Sequence, residues 1–233
     1  MKTSKNNSYI VVGSKPWNKQ AFDEVISRYP GEWHFMGQAQ ELTLASIQRL
    51  NPRALFFLHW SLKIPQEIID KYECINFHMT NLPFGRGGSP LQNLIAKGLR
   101  KTTLSAHKMT SEIDAGPIYA KEPMSLEGNA GEIYVRSSFL AARMIKHIIA
   151  NNFTTTPQKG IVVIFKRRKP EQSEVKEAKN LQEIFDYIRM LDAPDYPHAF
   201  IQYQGFRLEF SRASFVGDRL ECDVTITKHE SHT

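Results

Sequence analysis

Short apolar runs alternate with segments of helical periodicity from residue 9 to residue 78, and this rhythm narrows the possible folds most. Residues 9–12 end in Gly13, after which Trp17, Ala21, Val25 and Tyr29 recur at helical spacing up to Pro30-Gly31. The pattern repeats as strand 33–36, helix 43–50 closed by Asn51-Pro52, strand 54–60, a short helix opening at Pro65, and strand 74–78. Strands joined through helices of this length predict an open, Rossmann-like, mostly parallel sheet with right-handed crossovers. Gly13 stands alone in the first turn, without G-x-G-x-x-G, so a dinucleotide site there has weak support.

The last of these strands runs into CINFHMTNLPFGRGGSP, residues 74–90. Asn76 and His78 are two apart, and strand side chains alternate faces, so both point one way while Phe77 points into a core. Leu82-Pro83 and the glycines from 85 to 88 force a bend. Ser89-Pro90 reads as an N-cap followed by a proline in the first position of a helix that Gly98 ends. A polar pair at a strand end, before a glycine-rich turn and a new helix, marks the carboxyl edge of an open α/β sheet, where ligands bind.

Strand 102–109 then leads into SEIDAGP with Asp114, and 117–124 is extended, with Pro117 and Pro123 confining it to a sheet edge or to poorly paired positions. Ile133, Phe139, Leu140, Met144 and Ile148 mark the longest helix, 130–151. Residues 154–157 interrupt the pattern and divide the chain into a Rossmann-like domain, 1–155, and a small C-terminal α+β appendage, 156–233. The appendage reads as strand 161–165, helix 181–191 capped by Asn180, and three strands around turns at Gln204-Gly205 and Gly217-Asp218.

Hydrophobic content of 41% and charged content of 23% are globular values, with fraying expected only in the polar ends, 1–7 and 228–233. No run approaches the roughly 18 apolar residues of a membrane span, and no secretory segment opens the chain, so the expectation is a cytoplasmic protein without a membrane partner. Cys74 and Cys222 are too few for a disulfide framework or a four-ligand zinc site and read as free thiols. A net charge of +6 favours anionic partners such as folate polyglutamate, a nucleotide pyrophosphate or RNA. The basic residues gather densely only at 166–169, so no nucleic-acid surface is expected.

Asn76, His78, Leu82-Pro83, Gly87-Gly88 and Asp114-Ala115-Gly116, in that order, resemble the signature of the formyltransferase family that uses N10-formyltetrahydrofolate. Met79-Thr80 stands where members usually carry Pro-Ser, which changes the turn and leaves the three polar positions. The resemblance implies the formyltransferase fold, N10-formyltetrahydrofolate as donor, and catalytic roles for Asn76, His78 and Asp114. It further implies a folate-binding loop carrying Trp60, Leu62 and Ile64, with Ile113 and Asp114 beside it, and no metal. The residue chemistry agrees: an imidazole titrates near working pH, an amide N–H can meet a developing oxyanion, and a carboxylate can orient or balance the imidazole. An isolated strand-end histidine is more often structural, so the weight lies in the combination.

For the acceptor, residues 166–171 (KRRKPE) and the stretch from Leu191 to Phe200 are similar to the sugar N-formyltransferase branch. Members that modify tRNA continue into a C-terminal barrel for which this chain leaves little length. The expected acceptor is therefore a UDP- or dTDP-linked amino sugar, of the UDP-4-amino-4,6-dideoxy type used in flagellar or surface glycans, with Arg86, Lys166, Arg168 and Tyr196 on the nucleotide. Glycinamide ribonucleotide formyltransferase is the nearest enzyme alternative, and a non-catalytic RNA-binding module on the same fold is the other. Apolar strands in the appendage offer a surface for a homodimer.

Overall fold

The computed structural model describes residues 7–228. The predicted frayed ends lie outside the described residues except for Asn7 and Lys228, and Lys228 is held in a strand opposite Phe206. In chain order the elements are β1 (Ser8–Val12), α1 (Pro16–Glu24), β2 (Glu32–Met36), α2 (Leu44–Leu50), β3 (Ala54–Leu58), α3 (Gln66–Lys71) and β4 (Glu73–His78). They continue with β5 (Phe84–Gly87), α4 (Pro90–Ala96), β6 (Lys101–Lys108), β7 (Ile118–Ser125), α5 (Ala130–Ala150) and β8 (Val163–Phe165). The C-terminal part holds α6 (Leu181–Arg189), β9 (Ala199–Tyr203), β10 (Phe206–Val216) and β11 (Arg219–Lys228).

The main sheet has the order β2-β1-β3-β4-β6-β7. β1 pairs in parallel with β2 and β3, and β3 with β4, as the alternating pattern predicts. β6 makes the sheet mixed, within the mostly parallel expectation: after β4 the chain turns back through β5 and α4 and enters beside β4 antiparallel, with Asn76 opposite His107. β7, with its two prolines in or beside it, lies at the sheet edge as expected. Every residue of β1 and β3 is buried, which is why these strands read as unbroken apolar runs. Burying a side chain such as Phe57 contributes roughly 1.5–3 kcal/mol.

Contacts divide the chain into two compact units, the first comprising residues 1–87, 103–124 and 134–164 and the second 88–102, 125–133 and 165–233. In the first unit, Ile10, Val12, Leu55, Phe57, Ile47, Ile68 and Cys74 form one apolar cluster between the sheet and its covering helices. In the second, Gln92 of α4 donates to the Met190 carbonyl at 3.1 Å. Arg189 is buried there, with Nε on Asp186 at 2.5 Å and Nη1 on the Leu126 and Gly128 carbonyls at 2.6 and 3.0 Å. β9, β10 and β11 form the antiparallel sheet that the two turn signals predict.

Candidate active site

β4 places its polar residues by strand period: Asn76 is half-buried, while His78 and Phe77 are buried. The bend beyond β4 is tied down from β6, where Ser105 Oγ donates to the Thr80 carbonyl at 2.6 Å and accepts from Leu82 N at 3.3 Å. His78 Nε2 lies 2.7 Å from the Gly85 carbonyl. A carbonyl only accepts, so Nε2 carries the hydrogen, and in the neutral ring Nδ1 holds the lone pair.

Asp114 arrives on the loop between β6 and β7 with φ of 52°, in the left-handed region. Gly116, two residues on, has no room for a side chain: a Cβ there would sit 1.9 Å from the Lys108 carbonyl oxygen. This close approach is the physical content of the Asp-x-Gly motif. Asp114 Oδ2 accepts from Gly87 N at 2.9 Å and faces His78 Nδ1 at 3.6 Å, while Oδ1 is 3.5 Å from Asn76 Nδ2. The amide, imidazole and carboxylate predicted to converge are therefore neighbours in the first unit.

A fourth member was absent from the sequence reading. His107 Nε2 is 3.2 Å from Asp114 Oδ1 and 3.3 Å from Asn76 Nδ2, and its Nδ1 donates to the Lys108 carbonyl at 3.0 Å. Only the pairing register of β4 with β6 brings His107 opposite Asn76, and register is invisible in one strand's pattern.

Burial lowers the pKa of His78, although the nearby Asp114 charge and the Gly85 hydrogen bond oppose the shift. Burial alone would raise the Asp114 carboxyl, but the hydrogen bond from His107, the neighbouring imidazoles and the Gly87 N–H outweigh it and hold the group down at about 2. At neutral pH the arrangement is thus an uncharged imidazole against a carboxylate. Such a pair can accept a proton at Nδ1 and stabilise the resulting imidazolium.

The remaining sequence candidates are scattered in environment. Ile64 is buried in the apolar cluster and Trp60 packs against it, whereas Leu62 and Ile113 are 55% and 74% exposed. Trp60 Nε1 is buried without a hydrogen-bond partner among the described residues. Arg86 is turned inward, its side chain 14% exposed, paired with Glu112 and donating to Gln158. Lys166 is exposed and Tyr196 half-buried. Arg168 donates from Nη2 to the Gln172 carbonyl at 2.5 Å and lies over the Tyr187 ring.

Residues 15–145, more than half of the chain, match the sequence model described as formyl transferase. The chain belongs to the formyl transferase family. That model is of the family whose signature the Asn76, His78 and Asp114 motif resembles. Residues 170–227 match a second model, described as the C-terminal domain of methionyl-tRNA formyltransferase. A solved structure named methionyl-tRNA formyltransferase, from Clostridium thermocellum, is 42% identical with a TM-score of 0.89, covering 95% of this chain and 99% of that one. A methionyl-tRNA formyltransferase of Rickettsia massiliae is 27% identical over 178 residues, which are 73% of this chain and 58% of that relative. This chain thus spans less than two thirds of that relative's length.

These findings overturn the sugar acceptor and the expectation of no nucleic-acid partner. A sugar N-formyltransferase from a Shewanella species shares the fold at a TM-score of 0.65 but only 16% identity. From residue 170 on, the tail taken as a mark of the sugar branch lies in the segment that matches the tRNA-enzyme domain. The site motif by itself is silent about the acceptor. With the nucleotide sugar falls the role given to Arg86, Lys166, Arg168 and Tyr196, and Arg86 is already engaged within the protein.

Proposed function

We propose that this chain transfers the formyl group of N10-formyltetrahydrofolate to the α-amino group of methionyl-tRNA, in the cytoplasm. The observation that carries the reading is the 42% identity, end to end, with the Clostridium thermocellum structure of that name. The match of 170–227 to the corresponding C-terminal domain supports it independently of the motif.

The transfer breaks the bond between the formyl carbon and N10 and forms one to the amine, which must lose a proton while N10 gains one. His78, uncharged and with its lone pair on Nδ1, takes the amine proton, and Asp114 at 3.6 Å stabilises the imidazolium. The Asn76 amide donates to negative charge developing on the formyl oxygen, a role worth about 3 kcal/mol. The residues fit a flat donor ring with polar edges: Leu62 and Ile113 expose apolar surface, Trp60 Nε1 lacks a partner among the described residues, and Asp114 supplies an acceptor.

Incubating the purified protein with N10-formyltetrahydrofolate and methionyl-tRNA, then releasing the amino acid for mass spectrometry, tests the reading. Formylmethionine is the expected product. Its absence, with donor and acceptor proved competent by another formyltransferase, rejects the acceptor.

A further inference from the structure

Gln158 lies in TTTPQKG, between the two segments that match known families, and its sequence context marks no function. In the first unit, however, its side-chain amide is fully used. Nε2 donates to the Asp114 carbonyl and to the Gly116 carbonyl, both at 2.8 Å. Oε1 accepts from Arg86 Nε at 3.2 Å and Nη2 at 2.9 Å. Arg86 Nη1 closes the set on Glu112 Oε1 at 3.0 Å, on the same loop as Asp114.

Two facts make these bonds more than loop decoration. Asp114 holds a left-handed backbone at φ of 52°, a conformation that is strained for a non-glycine residue and persists when its surroundings impose it. The two carbonyls that Gln158 clasps flank Ala115, so its amide fixes the peptide planes on either side of the turn that aims the carboxylate. Arg86 precedes Gly87, whose N–H holds Asp114 Oδ2 at 2.9 Å. The carboxylate and its own backbone are therefore pinned to one short segment, directly through Gly87 and through Arg86 and Gln158.

We propose that Gln158 is a positioning residue for formyl transfer, setting the Asp114 carboxylate against His78 and Asn76 with Arg86 as its anchor. The inference rests on the proposed catalytic role of Asp114.

Two variants test it. Gln158→Leu removes both halves of the amide, and Gln158→Glu keeps an acceptor for Arg86 but, ionised, has no hydrogen for the two carbonyls. Both are expected to lower kcat roughly 10- to 100-fold, the range in which small misplacements of catalytic groups act, with KM for the donor little changed. Amide hydrogen exchange in residues 111–117 should speed up in both, while the thermal midpoint of the Glu variant stays near the parent's. In an Asp114→Asn background, Gln158→Leu should add little further loss, because it acts through that carboxylate. Unchanged exchange and kcat in the Glu variant overturn the inference, and so does a loss fully additive with Asp114→Asn. If Asp114→Asn itself keeps full turnover, the catalytic reading of Asp114 fails, and the positioning role in catalysis falls with it. The exchange data then still report whether Gln158 sets the loop.

Discussion

His78 is buried beside an ionised carboxylate, and its uncharged form persists below the ordinary histidine range because burial penalises the charge more than Asp114 repays it. A base with a lowered pKa stays competent as pH falls, so the acid limb of kcat against pH is expected below about 6.5, the ordinary value. A limb above that value contradicts the assignment. His78→Ala should cost about 10²-fold or more in turnover with the fold retained, read by activity alongside circular dichroism. A second histidine makes a stability prediction. His59 Nδ1 faces Trp17 Nε1 and Asn18 Nδ2, each at 3.3 Å, and Nε2 meets Ser137 Oγ at 3.1 Å. Burial lowers its pKa to about 4. The unfolded chain then binds the extra proton between about 6.5 and 4, so stability is whole above that window and falls on acidification, by about 3 kcal/mol. Urea titrations at several pH values should show this slope. An equal slope in a folded His59→Gln variant would assign it to other groups.

Elements whose ends are set locally were readable from the chain. α2 and α6 begin as expected, with Thr43 Oγ1 accepting from Ser46 N at 3.1 Å and Asn180 Oδ1 from Glu183 N at 2.9 Å. Ser89 was not readable: it precedes α4 as predicted but makes no side-chain cap, because its Oγ accepts from the distant Arg168 N at 3.0 Å. The first helix also stops short, at Glu24, with Val25 off the helical path and a single 3₁₀ turn at Ile26–Arg28. That break lets Tyr29 donate its hydroxyl to the Ala142 carbonyl at 3.0 Å, a partner outside any local window. At this scale the β6 to β7 turn supplies a test. Gly116→Ala sets a methyl against the Lys108 carbonyl, so the turn must shift and carry Asp114 with it. The expected cost is about 1–3 kcal/mol in denaturant unfolding, together with a loss of turnover comparable to Asp114→Asn. Full activity in the alanine variant would show that the turn tolerates the displacement.

Over the whole molecule the net charge of +6 suits the polyanionic acceptor that the proposed function requires, although the basic residues do not form one long tract. Affinity for methionyl-tRNA is expected to fall roughly tenfold or more between about 50 and 200 mM salt, as counterion release requires, while affinity for the folate donor changes little. Filter binding across that range checks it, and a flat salt response would exclude a phosphate-driven contact. The sequence by itself determined what depends on neighbours along the chain. The strand and helix rhythm, the strand-end Asn76 and His78, the Asp-x-Gly turn and the two late hairpins follow from period, turn chemistry and steric need within a few residues. Only the tertiary structure decided which way β6 runs, that His107 faces Asn76, that Ser89 serves Arg168 and that Gln158 clasps the Asp114 turn. Each of these joins groups far apart in sequence through register or a distant hydrogen bond, and no local preference encodes such a partner.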